Sequence, residues 1–179
     1  HCPNTGSMYG LIKKNNKVWI SKSNNPKRKL KYTLEIIEDN YSKVGVNTHS
    51  ANKIALHALQ NNLIKEFKNT LKIKPETKFG SNTRFDFLIL DKKNKIFMEV
   101  KNVTLSRKKG LAEFPDAITS RGLKHLIKLI NSIKKGFKPY VLFLTQIQGI
   151  EYFRIAKDID YEYYQNYLKA KKAGVNFLA

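Results

Sequence analysis

The stretch RFDFLILDKKNKIFMEVK, residues 84–101, constrains the fold more than any other part of the sequence. Two runs in which apolar and polar residues alternate flank the charged segment DKKNK, which is typical of an antiparallel hairpin. When the turn is centred on the two consecutive lysines, Asp86 on the first strand lies directly opposite Glu99 on the second. Lys101 follows on the same face as Glu99, about 6–7 Å further along the strand. The hairpin is therefore predicted to bring two carboxylates and an ammonium together.

Alternation also divides the first strand of this hairpin into two faces. The predicted sets are Asp86, Leu88 and Leu90 on one face and Phe85, Phe87 and Ile89 on the other. Opposed carboxylates among apolar residues destabilise a sheet unless something neutralises them. A divalent cation such as Mg²⁺ or Mn²⁺ would do so, since it prefers hard oxygen ligands, and Lys101 would then orient an attacking water. The alternative is a solvent-exposed face on which Arg84 and Lys101 neutralise the acids.

From residue 50 onward the chain predicts a mixed α/β domain with the order α-β-β-β-α-β-β-α-β. The predicted elements are a helix capped by Ser50, strands at about 72–79, 84–90 and 95–103, a helix from Pro115 to Gly136, strands at 140–147 and 151–156, a helix near 160–173, and a last strand at 174–179. Asp116 is interpreted as a cap of the second helix, and Glu113 is an outside candidate for a metal ligand.

Residues 1–46 predict a separate, small all-β unit, joined at about 44–52 to a second domain over 47–179. Its short strands at 8–12, 17–23 and 30–38 are rich in β-branched and aromatic residues. Aromatic and basic side chains interleave there: Tyr9, Trp19 and Tyr32 with Lys22, Lys27, Arg28 and Lys29. This mixture suits a barrel that stacks rings on bases and holds phosphates with cations. The alternative is that the rings form core and the cations lie on a solvated loop.

The charge of the chain indicates a polyanionic partner. Thirty-four Lys and Arg against 14 Asp and Glu give a net charge of +20, which makes nucleic acid the expected partner. No apolar run approaches the length of a membrane span, and no amphipathic helix stands out, so no membrane association is expected. A single cysteine, Cys2, excludes an internal disulfide and fits a cytoplasmic location.

Two further basic groups are candidates for nucleic-acid contacts. They are Arg107, Lys108 and Lys109 in the segment SRKKG, and Arg121, Lys124 and His125 at the start of the second helix. Arg121 and His125 are separated by four residues, so they share one helix face and could both reach a phosphate. The alternatives are a mobile surface loop and a solvated helix face. No Gly-rich phosphate loop and no small-molecule cofactor motif accompanies them.

The hairpin, with its D…EVK residues after a helix, resembles the core of PD-(D/E)XK nucleases. Over nearly its whole length the chain also resembles the sugar fermentation stimulation protein A family. The segments that carry this resemblance are HCPNTGSM (1–8), NNPKRKLKYTLE (24–35), VGVNTHSAN (44–52), TRFDF (83–87), MEVKNVTL (98–105), FPDAITSRGLKHL (114–126) and AGVNFLA (173–179). It implies an N-terminal oligonucleotide-binding (OB)-like β-barrel and a C-terminal PD-(D/E)XK nuclease-like αβββαβ domain. Family chains extend further at both ends, so the barrel is expected to lack its first strands.

The resemblance implies DNA binding and a link to sugar (maltose) catabolic gene expression. On the nuclease motif, Asp86, Glu99 and Lys101 would be catalytic, and the Val100 carbonyl would join the two carboxylates as a metal ligand. The preceding helix offers Asn52, or Glu66 near its far end, where nuclease-like cores often add a glutamate. The working hypothesis is a cytoplasmic DNA-binding protein with Mg²⁺- or Mn²⁺-dependent nuclease activity. The alternatives are a non-catalytic DNA-binding regulator with a vestigial core, and an RNA-binding module. The sequence does not predict an oligomeric state.

Overall fold

The computed structural model describes residues 1–4, 6–39 and 42–179. Its strands are β1 (Lys17–Lys22), β2 (Tyr32–Glu38), β3 (Lys43–Gly45), β4 (Lys72–Lys78), β5 (Arg84–Leu90), β6 (Lys95–Val103), β7 (Leu105–Lys108), β8 (Leu111–Phe114), β9 (Phe137–Thr145), β10 (Tyr152–Ile155) and β11 (Asn176–Leu178). Its helices are α1 (Thr48–Gln60), α2 (Ser120–Ile133), α3 (Tyr161–Ala173) and a short 3-10 helix (Lys65–Phe67). Within these described ranges, no helix is long and apolar enough to cross a membrane.

A five-stranded sheet with the order β11-β9-β6-β5-β4 forms the centre of the C-terminal region. The neighbours β4, β5 and β6 are antiparallel, because short turns connect them. The neighbours β6, β9 and β11 are parallel. Parallel pairing needs long crossover connections, and α2 and α3 supply them. The prediction of a mixed α/β fold class is therefore confirmed.

Helices cover both faces of this sheet. On one face α1 packs Ala51, Ala55 and Leu59 against a cluster that includes Phe87 and Met98. On the other face α2 and α3 bury their apolar residues against a second cluster. The second cluster includes Phe85, Phe97, Val141 and Phe143 from the sheet, and Leu126, Leu129, Tyr163 and Ala170 from the two helices. The central strands are therefore buried on both faces, as their nearly continuous apolar sequences require.

The helix starts differ from those predicted. The α1 helix begins three residues early, because the Asn47 side chain, rather than Ser50, accepts a hydrogen bond from the backbone N–H of His49. In α2 the N-cap is Thr119, whose side chain accepts from the Gly122 backbone N–H. Asp116 therefore does not cap α2, and its carboxylate is used elsewhere.

A second sheet, with the order β10-β8-β7, corrects the prediction of a basic loop at residues 106–110. This segment instead forms a hairpin, in which β7 and β8 are antiparallel and β8 pairs in parallel with β10. Gly110 takes a left-handed φ of 80° at the tight turn, a conformation that glycine adopts without strain. Three of the five residues of this predicted loop thus lie in a strand.

The N-terminal region contains an antiparallel sheet with the order β1-β2-β3. The strand predicted at 8–12 is wrong, because Met8 has a φ of 50° and its carbonyl accepts from the Leu11 N–H in a turn. The region shares its core with the C-terminal domain, since Met8, Leu11 and Val44 join the cluster that contains Leu126. The two parts of the chain therefore pack as one body around common apolar residues.

Candidate active site

Asp86 lies where strands β5 and β6 separate. The last pair of their ladder is Phe87 with Met98, and Asp86 is the next residue beyond it. Its carboxylate accepts a hydrogen bond from the Val100 backbone N–H at 2.7 Å and another from the Asn52 side-chain amide on α1 at 2.8 Å. Asn52, considered from the sequence as a metal ligand, is thus a hydrogen-bond donor that orients Asp86.

The alternation predicted for β5 breaks at Asp86. Phe85 packs on the α2 side, where its ring centroid is 4.8 Å from that of Phe97, whereas Phe87 packs on the α1 side. The neighbouring strand is irregular at the same level, because Glu76 has a left-handed φ of 51° between residues that pair regularly with β5. The assignment of Phe85 and Phe87 to one face is therefore wrong, and the Asp86 carboxylate lies towards Val100 on β6 and Asn52 on α1.

Glu99, Lys101 and His125 form a compact polar cluster on the α2 side of β6. One carboxylate oxygen of Glu99, Oε1, lies 2.7 Å from the Lys101 Nζ and also contacts the His125 Nδ1. The same His125 nitrogen is 3.4 Å from the Lys101 Nζ. The alternative of a solvated helix face does not hold for His125, because its side chain is only 13% exposed. Helix α2 thus delivers a second nitrogen group to the motif carried by β6.

The two carboxylates have opposite protonation tendencies. Burial, followed by the negative charge of Glu99, raises the pKa of Asp86 to about 6, although the hydrogen bonds from Val100 and Asn52 oppose the shift. Burial alone would also raise the pKa of Glu99, but Lys101 and His125 outweigh it and hold that pKa below its ordinary value. Glu99 is therefore ionised at neutral pH, and Asp86 is ionised there at a cost.

The residues fit a divalent cation. The second carboxylate oxygen of Glu99, Oε2, is buried and has no hydrogen-bond partner among the described residues. Each Asp86 oxygen accepts one hydrogen bond and keeps a second lone pair. The described part of the chain holds no group of three His, Cys, Asp or Glu side chains suited to a metal. Two carboxylates and the Val100 carbonyl are nevertheless a donor set typical of Mg²⁺, which retains several waters.

A polar pocket of about 290 Å³ contains the predicted catalytic residues. Asp86, Glu99, Val100 and Lys101 line it together with Arg121 from α2. The pocket is open to solvent on the side of Arg121, whose residue is exposed. The structure therefore brings the three predicted catalytic residues and one predicted phosphate-binding residue to a single cavity.

The N-terminal segment forms another part of the pocket wall. Asn4 and Gly6 line the cavity, and Asp116 holds this segment in place. The Asp116 carboxylate accepts from the Met8 backbone N–H at 3.0 Å, and its backbone carbonyl accepts from the Ser7 hydroxyl at 2.5 Å. The sequence gives no signal for this contact, because it joins residues more than 100 positions apart.

Most of the predicted nucleic-acid-binding residues are exposed, and their role stays a prediction. The exposed ones are Lys22, Lys27, Lys29, Arg107, Lys108, Lys109, Arg121 and Lys124. Arg28 is half-buried and donates to the Thr33 hydroxyl at 2.7 Å. Among the aromatic residues, Tyr9 and Tyr32 are exposed. The ring centroid of Trp19 lies 5.0 Å from the Lys17 ammonium and 5.1 Å from the Lys43 ammonium. Trp19 thus already has cationic neighbours.

Arg107 takes part in an ion-pair network with Glu113 and Asp158, and its role in nucleic-acid binding stays a prediction. Its guanidinium makes two hydrogen bonds to Glu113, at 2.8 and 2.7 Å, and also pairs with Asp158. Arg154 donates to Glu113 at 2.8 Å from the adjacent strand. The Glu113 side chain is completely buried, so it is a structural partner of these arginines and not a metal ligand.

Sequence reasoning missed two amide side chains near the pocket. Asn102 lines it, and its side-chain oxygen accepts from the Gln146 amide at 2.7 Å. Alternation along β6 places Asn102 on the same face as Val100, and this is the sequence signal from which Asn102 could have been found. Gln146 follows β9 and meets Asn102 only because β6 and β9 are parallel neighbours.

Comparisons with known proteins agree with this architecture. The SfsA N-terminal OB domain model matches residues 1–46, and the sugar fermentation stimulation protein RE domain model matches residues 49–179. The sugar fermentation stimulation protein homolog of Pelagibacter ubique is 64% identical over 179 residues, which are 100% of this chain and 77% of the relative. The homolog of Bartonella henselae is 43% identical over 178 residues, which are 99% of this chain and 76% of the relative.

A solved structure of the same kind is similar over nearly the whole chain. The structure of Pyrococcus furiosus SfsA in complex with Ca²⁺ superimposes with a TM-score of 0.89 at 25% sequence identity. The match covers 98% of this chain and 74% of the Pyrococcus furiosus chain. The two domain models together match almost every residue, and the chain therefore belongs to the sugar fermentation stimulation protein (SfsA) family.

Proposed function

We propose that this protein binds DNA and hydrolyses its phosphodiester bonds with the help of a divalent cation at the Asp86–Glu99–Lys101 pocket. The observation that carries the proposal is the buried Oε2 of Glu99, which has no hydrogen-bond partner among the described residues. Glu99 lines the same cavity as the destabilised Asp86 carboxylate. A bound cation would satisfy the first and neutralise the second. The Ca²⁺ complex of the Pyrococcus furiosus protein supports divalent-cation binding in this fold. For catalysis by this chain we propose Mg²⁺ or Mn²⁺.

The side chains divide the remaining work. Asp86, Glu99 and the Val100 carbonyl would hold the cation, which would supply Lewis-acid stabilisation of charge on the phosphate. The Lys101 ammonium, fixed by Glu99, would orient the attacking water and stabilise negative charge developing on the phosphate oxygens. In the overall reaction the water oxygen bonds to phosphorus, one phosphorus–oxygen bond to a sugar breaks, and the departing sugar oxygen gains a proton.

The DNA would approach along the basic rim of the pocket. Arg121 lines the pocket, and Lys124 is exposed one turn away on the same helix. Arginine and lysine contacts to phosphates position a strand without reading its sequence. The net charge of +20 would draw the polyanion to this surface. Because the proposed substrate is DNA, we place the activity in the cytoplasm.

Cleavage by matched variants tests the proposal. Supercoiled and linear DNA are incubated with the purified protein and Mg²⁺ or Mn²⁺, and the products are resolved on a gel. We expect Asp86→Ala and Lys101→Ala to lose at least about a hundredfold in rate, because each removes a group that acts in the transition state. Lys95→Ala, at the exposed opposite end of the same strand, is the control and should cleave like the unmodified protein.

The outcome separates catalysis from binding alone. Cleavage that survives in either Asp86→Ala or Lys101→Ala would refute the site assignment. If the unmodified protein binds DNA tightly and cleaves nothing with either cation, the hydrolytic proposal is wrong, and the non-catalytic DNA-binding regulator is the better hypothesis.

A further inference from the structure

Two buried polar atoms that line the pocket lack hydrogen-bond partners, and they are of opposite kinds. Among the described residues, Glu99 Oε2 is an acceptor without a donor, and Asn102 Nδ2 is a donor without an acceptor. Both residues line the same cavity. A buried donor without a partner is destabilising, so a native structure that keeps one usually reserves it for a ligand or an ordered water. The acceptor suits a cation, whereas the donor suits an anionic oxygen.

The orientation of the Asn102 amide is determined by its neighbour. Gln146 Nε2 donates to Asn102 Oδ1 at 2.7 Å, which uses the acceptor end of the amide and leaves the donor end free. Gln146 itself is held by the N-terminal sheet, because its backbone carbonyl accepts from the Gly45 N–H at 2.7 Å. Gly45 is packed so closely that a Cβ there would lie 2.9 Å from the Gln146 Cβ. The chain Gly45–Gln146–Asn102 therefore fixes the free N–H from behind.

We propose that Asn102 Nδ2 donates a hydrogen bond to a non-bridging phosphate oxygen of the nucleic-acid strand that enters the pocket, and that Gln146 is the positioning residue for this donor. This inference rests on the proposed function. A phosphodiester oxygen only accepts hydrogen bonds, and asparagine amides are among the groups that contact phosphates in protein–DNA complexes. Lys101 and Arg121 line the same pocket, so the local charge also favours an anion. The site would then hold a cation at Glu99 and a phosphate oxygen at Asn102.

The substitution Asn102→Asp isolates the donor. Aspartate has nearly the same shape and keeps an oxygen for the Gln146 N–H, but it places a negative oxygen where the donor was. We expect DNA affinity, measured by fluorescence anisotropy in Ca²⁺, to fall about tenfold or more, as for the loss of a hydrogen bond to a charged group. Mn²⁺ affinity, measured by calorimetry, should not fall.

The matched control is Asn69→Asp, which makes the same charge change at an exposed position. Asn69 lies beside the β5–β6 turn, at the opposite end of the hairpin from the pocket. Screening over that distance should keep its effect on DNA affinity within about twofold. Equal losses in the two variants would show a purely general charge effect and would overturn the inference.

A second substitution tests the role of Gln146. Gln146→Glu offers only acceptors, so the Asn102 amide must rotate and donate towards residue 146, and the pocket then receives an oxygen instead of an N–H. We expect DNA affinity to fall about fivefold or more, although residue 146 does not line the pocket. In an NMR titration of the unmodified protein with a short oligonucleotide, the Asn102 side-chain NH₂ signals should shift. Unchanged signals at saturating oligonucleotide would overturn the inference.

The readouts keep this inference separate from the proposed function. DNA that is bound but never cleaved, with Asn102→Asp still weaker than Asn69→Asp, would refute hydrolysis and support the phosphate contact. If the unmodified protein cleaves DNA and the two aspartate variants bind DNA with equal affinity, hydrolysis is supported and the phosphate contact at Asn102 is refuted.

Discussion

At the scale of single residues, the function proposed for Asp86 opposes its contribution to stability. Because burial raises its pKa to about 6 from 3.8, the folded protein binds a proton at Asp86 more readily than the unfolded chain does. The contribution of this group to the free energy of unfolding therefore falls as pH rises between about 4 and 6, and it stays low above that range. Ionised Asp86 therefore lowers the free energy of unfolding at neutral pH.

Replacing Asp86 by asparagine should therefore stabilise the protein. Asn52 can rotate its amide to accept from the introduced N–H, and the Val100 N–H keeps an oxygen acceptor. We expect Asp86→Asn to raise the free energy of unfolding at pH 7 by about 1–3 kcal/mol, with the gain vanishing below about pH 4. Urea denaturation across this pH range measures it. Added Mn²⁺ should stabilise the unmodified protein more than the variant.

Asp91 provides a control of opposite sign. Its carboxylate accepts hydrogen bonds from the backbone N–H groups of Lys93 and Asn94 within the hairpin turn. A hydrogen bond from the Asn94 side chain is the largest cause that lowers the pKa of Asp91, and the backbone hydrogen bonds lower it further. Asp91→Asn should therefore reduce stability at pH 7. A loss of stability in Asp86→Asn, with the pH profile unchanged, would contradict the account of Asp86.

The sequence predicted the carboxylates and the lysine of the site, but not how they are held. Strand alternation and the turn position placed Asp86, Glu99 and Lys101 near one another, because both depend only on local geometry. The contact of His125 with Glu99 depends on how α2 crosses the sheet, and the Asn102–Gln146 bond depends on parallel pairing between distant strands. No local pattern encodes either contact.

At the scale of secondary-structure elements, one buried carboxylate joins the strands of the second sheet. Glu113 on β8 accepts from Arg107 on β7 and from Arg154 on β10. The Arg107 hydrogen bond comes first among the causes that lower its pKa. A lowered pKa means that the stabilisation is present at neutral pH and is lost as pH falls through the folded-state value.

Glu113→Gln should weaken this sheet. The two arginines lose a charged acceptor, and we expect the free energy of unfolding at pH 7 to fall by about 1–3 kcal/mol. The difference from the unmodified protein should shrink in acid. Glu151→Gln, at an exposed position just before β10, is the matched control and should be near neutral. Thermal denaturation compares them, and an equal melting temperature for both variants would contradict a structural role for Glu113.

The misassigned segment at residues 106–110 shows why short strands escape prediction. The segment carries three basic side chains in five positions and has no apolar alternation, so its sequence resembles that of a loop. The strand conformation of β7 comes from its pairing with β8, which is itself held by the distant strand β10, and from the ion pair of Arg107 with Glu113. The longer central strands β5, β6 and β9 were predictable because each carries its own apolar pattern.

At the scale of the whole molecule, two sequence units act as one body. Residues from the N-terminal sheet and the C-terminal domain share one apolar cluster, and the N-terminal segment lines the candidate pocket. The sequence predicted two units but gave no sign of this shared core, because the contacts join distant parts of the chain. Positive charge is spread over the surface. The contribution of each cation to DNA binding therefore depends on whether it already forms an ion pair within the protein.

Salt dependence distinguishes the free cations from the paired ones. The logarithm of DNA affinity should fall linearly with the logarithm of salt concentration, and each phosphate contact contributes about −0.9 to the slope. Arg121→Ala should make the slope shallower by about 1, because Arg121 is exposed at the pocket. Arg107→Ala removes the same charge, but Arg107 already pairs with Glu113 and Asp158, so it should lower stability and leave the slope unchanged. Anisotropy titrations at several salt concentrations, below the melting temperature of each variant, measure both slopes. A reduced slope for Arg107→Ala with no change for Arg121→Ala would show that the strand follows the second sheet and bypasses the pocket.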